Sequence, residues 1–302
     1  MMLTRRRFLQ LAGGLLSLGA STGAYATVIE PGLRLSIARW RVAHPHWPAS
    51  MPPLRIAVLA DLHAMEPWMP LGRIERIVAA ANRLGADLTV LLGDYVASMR
   101  HFRSDIVPIS DWAPALGQLQ APLGVFAILG NHDWWVDPRG VREGLEKAGI
   151  GVLENQALKL ADQDRRFWLA GLGDQLAIPM RHGYQGVDDL PRTLKPTADD
   201  RDPVILLAHE PDIFVDVPDR VALTLSGHTH GGQVLLPFIG RPIIPSRYGQ
   251  RFAYGHIVEK GRNLIVSSGL GVTGLPVRFM VPPEIALVTL GAPDAPEGDP
   301  AA

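Results

Sequence analysis

Short apolar runs rich in β-branched residues alternate, along most of the chain, with segments of helical period, which predicts an α/β fold. The runs that read as strands are Leu54–Ala60, Leu88–Leu92, Gly124–Leu129, Phe167–Ala170, Val204–Ala208 and Val221–Leu225. Leu71, Ile74, Ile77, Val78 and Ala81 fall at helical spacing and predict a helix over Leu71–Leu84. Pro138–Ala148 reads as a second helix, with Asp137 as its N-cap and Pro138 at its first position. After Gly231 the pattern changes. Val234–Leu236, Tyr254–Val258, Leu264–Val266 and Ile285–Leu290 read as strands with no helix between them, which predicts a second, antiparallel sheet. Residues 27–53 carry five prolines and little periodicity and read as a linker, and the Pro-rich tail 291–302 reads as disordered. No internal repeat is visible, so 54–290 is expected to fold as one large domain.

The polar residues fall at the ends of these strands. Leu54–Ala60 runs into Asp61-Leu62-His63, Leu88–Leu92 into Gly93-Asp94, and Gly124–Leu129 into Gly130-Asn131-His132-Asp133. Val204–Ala208 ends in His209, and Val221–Leu225 runs into Ser226-Gly227-His228-Thr229-His230. Ligands of open α/β sheets bind just beyond the carboxyl ends of the strands. A single such residue is adequately explained as a polar group closing a strand. Five strand ends together, holding half of the chain's ten histidines, are not.

Composition narrows the chemistry. The chain has 302 residues, an ordinary apolar fraction and a formal net charge of −1, so nothing favours a nucleic-acid partner. It has no cysteine, so a metal must be held by oxygen and imidazole nitrogen. Seven candidate ligands, Asp61, His63, Asp94, Asn131, His209, His228 and His230, exceed the roughly four that one tetrahedral zinc needs. They suit two divalent ions sharing a carboxylate, one activating water and the other steadying phosphate oxygens. Nitrogen and oxygen donors favour Mn, Fe, Zn, Co or Ni and do not choose among them.

Asp-x-His, Gly-Asp, Gly-Asn-His-Asp, a lone His and Gly-His-x-His, in this order, resemble the calcineurin-like metallophosphoesterases, and the resemblance covers roughly Leu54 to Leu290. It implies a four-layer αββα sandwich of two mixed sheets flanked by helices. It also implies that Asp61, His63 and His230 hold one metal, Asn131, His209 and His228 the other, and that Asp94 bridges them. His132 would be the general acid. Asp133 either orients His132 or is a surface carboxylate, and the divergence of adjacent side chains favours the second. The phosphoprotein phosphatases of the superfamily continue Gly-Asp-Tyr-Val with Asp-Arg-Gly, whereas Val96 here is followed by Ala97-Ser98-Met99. His209-Glu210-Pro211-Asp212, the Gly-Gly-Gln233 after His230, and Gly269-Leu-Gly-x-x-Gly-Leu-Pro276 look instead like the bacterial membrane-associated or exported phosphodiesterase branch, some members of which act on envelope molecules.

The N-terminus and the loops extend that expectation. Thr4-Arg-Arg-Arg-Phe-Leu-Gln10 followed by an uncharged run to Ala26 resembles a twin-arginine export signal, with Ala24-Tyr25-Ala26 as a cleavage site. The competing reading is an uncleaved membrane anchor, because Leu9–Ala26 is nearly long enough to span a bilayer. Segment 1–26 is therefore expected to engage the twin-arginine export machinery and to place the protein in the periplasm or on the periplasmic face of the inner membrane. Met65, Trp68, Met69, Tyr95, Met99, Phe102, Trp134 and Trp135 follow the ligand motifs, and form either an apolar rim for a phospholipid or glycolipid substrate or the core of the loops. Arg100, Arg251 and Arg278 are candidates for a phosphate clamp. The expected reaction is hydrolysis of a phosphodiester or pyrophosphate bond in a phosphorylated small molecule or lipid-linked envelope metabolite. The alternatives are a phosphomonoesterase and a catalytically idle metal-dependent binding protein, and an intact His132 favours an enzyme over the latter.

Overall fold

A computed structural model describes residues 4–96 and 105–293. Two six-stranded sheets stack face to face. The first contains β1 (Ser36–Ala43), β2 (Leu54–Leu59), β3 (Leu88–Leu91), β4 (Val125–Ala127), β5 (Gly151–Val152) and β14 (Glu284–Gly291), in the spatial order β1-β14-β2-β3-β4-β5. The second contains β6 (Gln156–Ala161), β7 (Arg166–Gly171), β10 (Val204–Leu207), β11 (Val221–Ser226), β12 (Gly255–Glu259) and β13 (Arg262–Val266), in the order β12-β13-β11-β10-β7-β6. A small hairpin, β8 (Ile178–Pro179) and β9 (Tyr184–Gln185), projects from the loop after β7. Both sheets are mixed: β2 to β5 run parallel, as do β7, β10, β11 and β13, while β14, β12 and β6 are antiparallel to their inner neighbours.

The period of two along each strand divides its side chains between two cores. Leu54, Ile56 and Val58 of β2, Leu88 and Val90 of β3, and Ala286, Val288 and Leu290 of β14 face the second sheet. There they meet Phe167, Leu169, Ile205, Leu207, Leu223 and Leu225. The alternate residues, Ala57, Leu59, Leu91, Ile285 and Leu287, face outward against helices. Those helices are α3 (Leu71–Asn82), α4 (Ile109–Leu116) and α6 (Pro138–Lys147), entered with Ile74, Ile77, Trp112, Leu116, Val141 and Leu145. Asp137 caps α6 by accepting from the Gly140 amide at 2.9 Å, as its sequence predicts. The outer face of the second sheet is covered more thinly, by the one-turn α7 (Leu190–Leu194) and by 3₁₀ turns carrying Phe214 and Phe252. Four layers result. Short α2 (Glu30–Leu33) and α5 (Asn131–Val136) lie at the edges of this sandwich, and α1 (Arg5–Ala24) precedes it.

Two expectations are corrected. The C-terminal strands do not form a sheet of their own: β12 and β13 extend the second sheet, β14 inserts between β1 and β2 in the first, and Val234 and Leu236 make only isolated bridges. Nor is 27–53 a linker. Residues 36–43 form edge strand β1, paired in parallel with β14, and the chain before it is strapped to the body. The buried Glu30 carboxylate accepts the Met280 and Val281 amides at 3.0 and 2.6 Å, and Arg73 donates to the carbonyls of Pro31 and Arg34. Of the tail, Gly291 closes β14 and residues 294–302 lie outside the described residues.

Trp112 of α4 is fully buried and stacks on Tyr95, with centroids 5.4 Å apart and rings 12° from parallel. Trp112→Ala is expected to lower the free energy of urea unfolding by about 3–5 kcal/mol. A loss below about 1 kcal/mol would show that this helix layer relaxes around the cavity.

Candidate metal centre

The neighbouring strands β2, β3 and β4 of the first sheet end beside the neighbouring strands β10 and β11 of the second. Their carboxyl ends are tied together directly. The His228 amide donates to Asp61 Oδ1 at 2.9 Å, Gly227 N–H to the His209 carbonyl at 3.0 Å, and His209 Nδ1 meets the Leu92 carbonyl at 2.6 Å. All seven residues expected as ligands converge here, each at most 9% exposed. Asp61, His63 and His230 form one group whose donor atoms lie within 4.8 Å of one another, and Asp61, Asp94 and His209 form another. His228 Nδ1 lies 3.0 Å from Asn131 Oδ1, beside His209 and Glu210.

Local backbone geometry is unusual at these positions. Asp61, His63, Asp94, His228 and His230 all have φ between 47° and 66°, half of the ten non-glycine residues with positive φ among the described residues. This left-handed conformation is costly for a side chain with a Cβ, on the order of 1 kcal/mol or more each, and clusters where function demands a direction. It turns each side chain inward as its strand ends. Gly269 makes room: a Cβ there would meet Asp61 Oδ2 at 2.7 Å, and its own φ is 70°.

The donor set fits divalent metal. His63 Nε2 and His230 Nε2 face each other at 2.9 Å, with Asp94 Oδ2 3.6 Å from the first and Asp61 Oδ1 3.8 Å from the second. Buried Asp61 Oδ2 and His209 Nε2 have no hydrogen-bond partner among the described residues. Converging lone pairs of this kind call for a cation. Burial pushes the Asp61 carboxyl up to about 7 and the His63 imidazole down to about 3. Burial opposes charge on Asp94 and His209 as well. The imidazoles of His209, His132 and His63 nonetheless hold the Asp94 carboxyl well below the usual range, and Asp94, Glu210 and Asp61 hold His209 well above its own.

A family model, Calcineurin-like phosphoesterase, matches residues 54–232. The chain belongs to the calcineurin-like phosphoesterases. This phosphoesterase is 34% identical to the Uncharacterized metallophosphoesterase YkuE of Bacillus subtilis over 95% of its own length and 98% of the relative's. It is 32% identical to Phosphodiesterase YaeI of Escherichia coli over 96% and 100% of the two chains. Among solved structures, the 5'-nucleotidase precursor of Thermus thermophilus aligns with 80% of this chain and 54% of that one, with a TM-score of 0.47 and 14% identity. The family uses a dinuclear divalent metal site to hydrolyse phosphoric esters, and the clusters above are groups that could hold such ions.

Other expected residues are placed differently. His132 sits at the mouth, half-buried, its ring edge-on to His63 at 4.8 Å and its Nε2 3.4 Å from Thr273 Oγ1. Asp133 is neither a surface carboxylate nor a partner of the His132 ring. It is completely buried and accepts four backbone amides: Asp94 and Gly130 on Oδ2 at 2.8 and 2.9 Å, Tyr95 and Val96 on Oδ1 at 2.9 and 3.2 Å. Arg278 is no phosphate clamp. It is buried, donates to the carbonyls of Ser268, Gly271 and Val281, and lies 3.3 Å from His230 Nδ1. Arg251 is exposed and pairs with Glu259 at 2.6 Å. Met65, Met69 and Tyr95 are loop core, Trp68 and Trp134 are half-buried, and of these residues Trp135 alone is exposed. Met99, Arg100 and Phe102 lie outside the described residues.

Two residues escaped the sequence reading. Asp174 and Glu210 are buried neighbours behind His209, and burial, with Glu210, pushes the Asp174 carboxyl up to about 10. The signal was present: Gly171-Leu172-Gly173-Asp174 is a sixth strand end, that of β7, beside β10.

Asp133→Asn tests the clamp on the Asp94 loop. Whichever way the amide is turned, its NH₂ confronts two N–H donors. The variant is expected to lose about 1–3 kcal/mol in urea unfolding and to bind less than the two metal ions of the parent, measured as metal per chain. Full metal content in a stable variant would mean that Asp133 does not hold the Asp94 loop.

Proposed function

We propose that this phosphoesterase is a phosphodiesterase, hydrolysing phosphodiester or pyrophosphate bonds in an exported setting, with a lipid-linked envelope metabolite as substrate class. The observation that carries the hydrolytic reading is the convergence of seven buried donors from five strand ends, with His132 alone among the motif histidines opening to the mouth. In this reading Asp61, His63 and His230 would hold one ion, Asn131, His209 and His228 the other, and Asp94 would serve both. The ions, drawn from Mn, Fe, Zn, Co or Ni, supply the activated water and the positive charge that steadies the phosphate oxygens.

The chain's own groups do the rest. His132 protonates the leaving oxygen. Asp94 Oδ1 accepts the His132 backbone amide at 2.8 Å, and Thr273 Oγ1 stands beside its ring, so the imidazole is aimed from both ends. Asp133 and Arg278 keep the two ligand loops in place and touch no substrate. Ala97-Ser98-Met99, where phosphoprotein phosphatases carry Asp-Arg-Gly, supports a substrate other than phosphoprotein. The likeness to a relative named as a phosphodiesterase supports diester cleavage. The basic start and uncharged run of 5–26 support export through the twin-arginine route and residence in the periplasm or on the inner membrane's outer face.

Metal-free protein reloaded with manganese is expected to cleave bis-p-nitrophenyl phosphate faster than p-nitrophenyl phosphate. His132→Ala should keep both metals and lose about 10²–10⁴-fold in kcat. Asp94→Asn should lose activity and metal together. A preference for the monoester would replace the diester reading, and inactivity of the fully loaded protein on both would favour a metal-dependent binding protein.

A further inference from the structure

Exposed apolar side chains are concentrated on one edge of this molecule. Apart from Val258 on edge strand β12, every large hydrophobic that is exposed among the described residues lies in the N-terminal segment or in a segment beyond a strand's carboxyl end on the metal-bearing edge, short α5 and the β8–β9 hairpin included. On one side of His132 stands the β8–β9 hairpin, with Met180 54% and Tyr184 50% exposed. It is fixed there by the Trp135 ring, which stacks on Tyr184 at 5.2 Å, lies 4.9 Å from His132 and donates to the Leu176 carbonyl. On the other side Thr273 leads through Gln233 to Phe279, and so to the loop that carries Phe238 and Ile239, 109% and 72% exposed, and to Leu275. Tyr25 packs edge-on against Phe279, so the N-terminal helix α1 joins the body on this same side.

Charge singles out the same segments. Residues 4–29, 175–187, 233–254 and 269–283 contain no Asp or Glu, in a chain that has 30 of them among 302 residues. They do contain eight arginines, of which Arg278 is buried, Arg247 pairs with Asp212 and Arg251 with Glu259, leaving Arg5, Arg6, Arg7, Arg181 and Arg241. Every described side chain of α1 is exposed, and the helix carries no charge after Arg7. Apolar side chains projecting from arginine-bearing segments that contain no acidic residue match a bilayer interface with anionic headgroups.

We propose that this edge docks on an anionic membrane: Phe238 and Ile239 on one side of the site mouth, and Met180 and Tyr184 on the other, enter the headgroup region, with α1 along the same surface. No helix among the described residues is long and apolar enough to cross a membrane. The docking face does not depend on one, since the loop side chains meet the lipid themselves. The mouth containing His132 then opens toward the membrane. The surface is independent of the diester assignment, because its test reads a label and needs no substrate.

The absence of cysteine allows single-site labelling of the full chain. Phe238→Cys, Met180→Cys and, as a control, Val258→Cys would each carry an environment-sensitive nitrobenzoxadiazole label. With phosphatidylcholine vesicles containing about a third phosphatidylglycerol, emission at 238 and 180 is expected to shift to the blue while 258 is unmoved, with the shift weakening at high salt. Phe238→Ser with Ile239→Ser should weaken partitioning at least about tenfold while keeping the urea midpoint. Chain that sediments with vesicles while labels 238 and 180 remain in water would overturn the proposal, leaving α1 as the whole contact. So would a blue shift that follows protein concentration without vesicles, which would mark a contact between copies, or an absence of vesicle binding.

Discussion

His63 and His230 turn their Nε2 atoms toward each other at 2.9 Å, both rings sealed from solvent between two sheets. Neither can satisfy the other without giving up a lone pair, and the carboxylates of Asp61 and Asp94 crowd the same point. An arrangement of this kind is unfavourable unless positive charge is bound at its centre, because buried polar groups forfeit their hydration. The rest of the edge can be understood as what holds these groups together. Five of them sit in left-handed backbone. That strain persists only where the surroundings over-determine the conformation.

Two buried side chains supply much of that restraint, and they act by the same physics with opposite charge. Asp133 gathers amides from two different strand ends, joining the loop after β3 to the turn after β4. Arg278 gathers carbonyls from 268–271, the loop after β13, whose Gly271 amide donates to the Asp61 carbonyl at 2.7 Å. A charged group bonded mainly to backbone fixes the path of the chain, and Arg278 in addition reaches Nδ1 of His230. The desolvation of each charge is offset by several charge-assisted hydrogen bonds. Between them the two clamps hold the loop after β3, the turn after β4 and the loop after β13.

The strand ends were legible because the local constraint is local in sequence. A buried strand is an apolar run, and a polar residue closing it marks both its end and its face. Six such runs and both principal helices stand where the pattern puts them. What escaped was set by distant partners. β1 is a half-exposed edge strand, with Arg39 and Arg41 among its residues, and it pairs with a strand nearly the whole chain away. The amides that Asp133 accepts belong mostly to residues 94–96, which nothing near position 133 reveals. The apolar residues after the ligand motifs were equally ambiguous: Met65 and Met69 point inward and Trp135 outward, and composition carries no direction. The more telling apolar residues lay in the loops after β7, β11 and β13, where no ligand motif drew attention to their surroundings.

Those three loops also bear on specificity. The metal-binding groups are supplied by strand ends buried in the seam, so their geometry is tied to the core and leaves little room for variation. His132, Thr273 and Trp135 stand at the edge of the cluster, beside the β8–β9 hairpin, the 233–244 loop and the 273–280 loop, none of which contributes to the two sheets' cores. Chemistry and selection are thus carried by different parts of the chain. The seam can remain rigid while the edge is free to vary, and it is on that edge that the exposed apolar residues are concentrated.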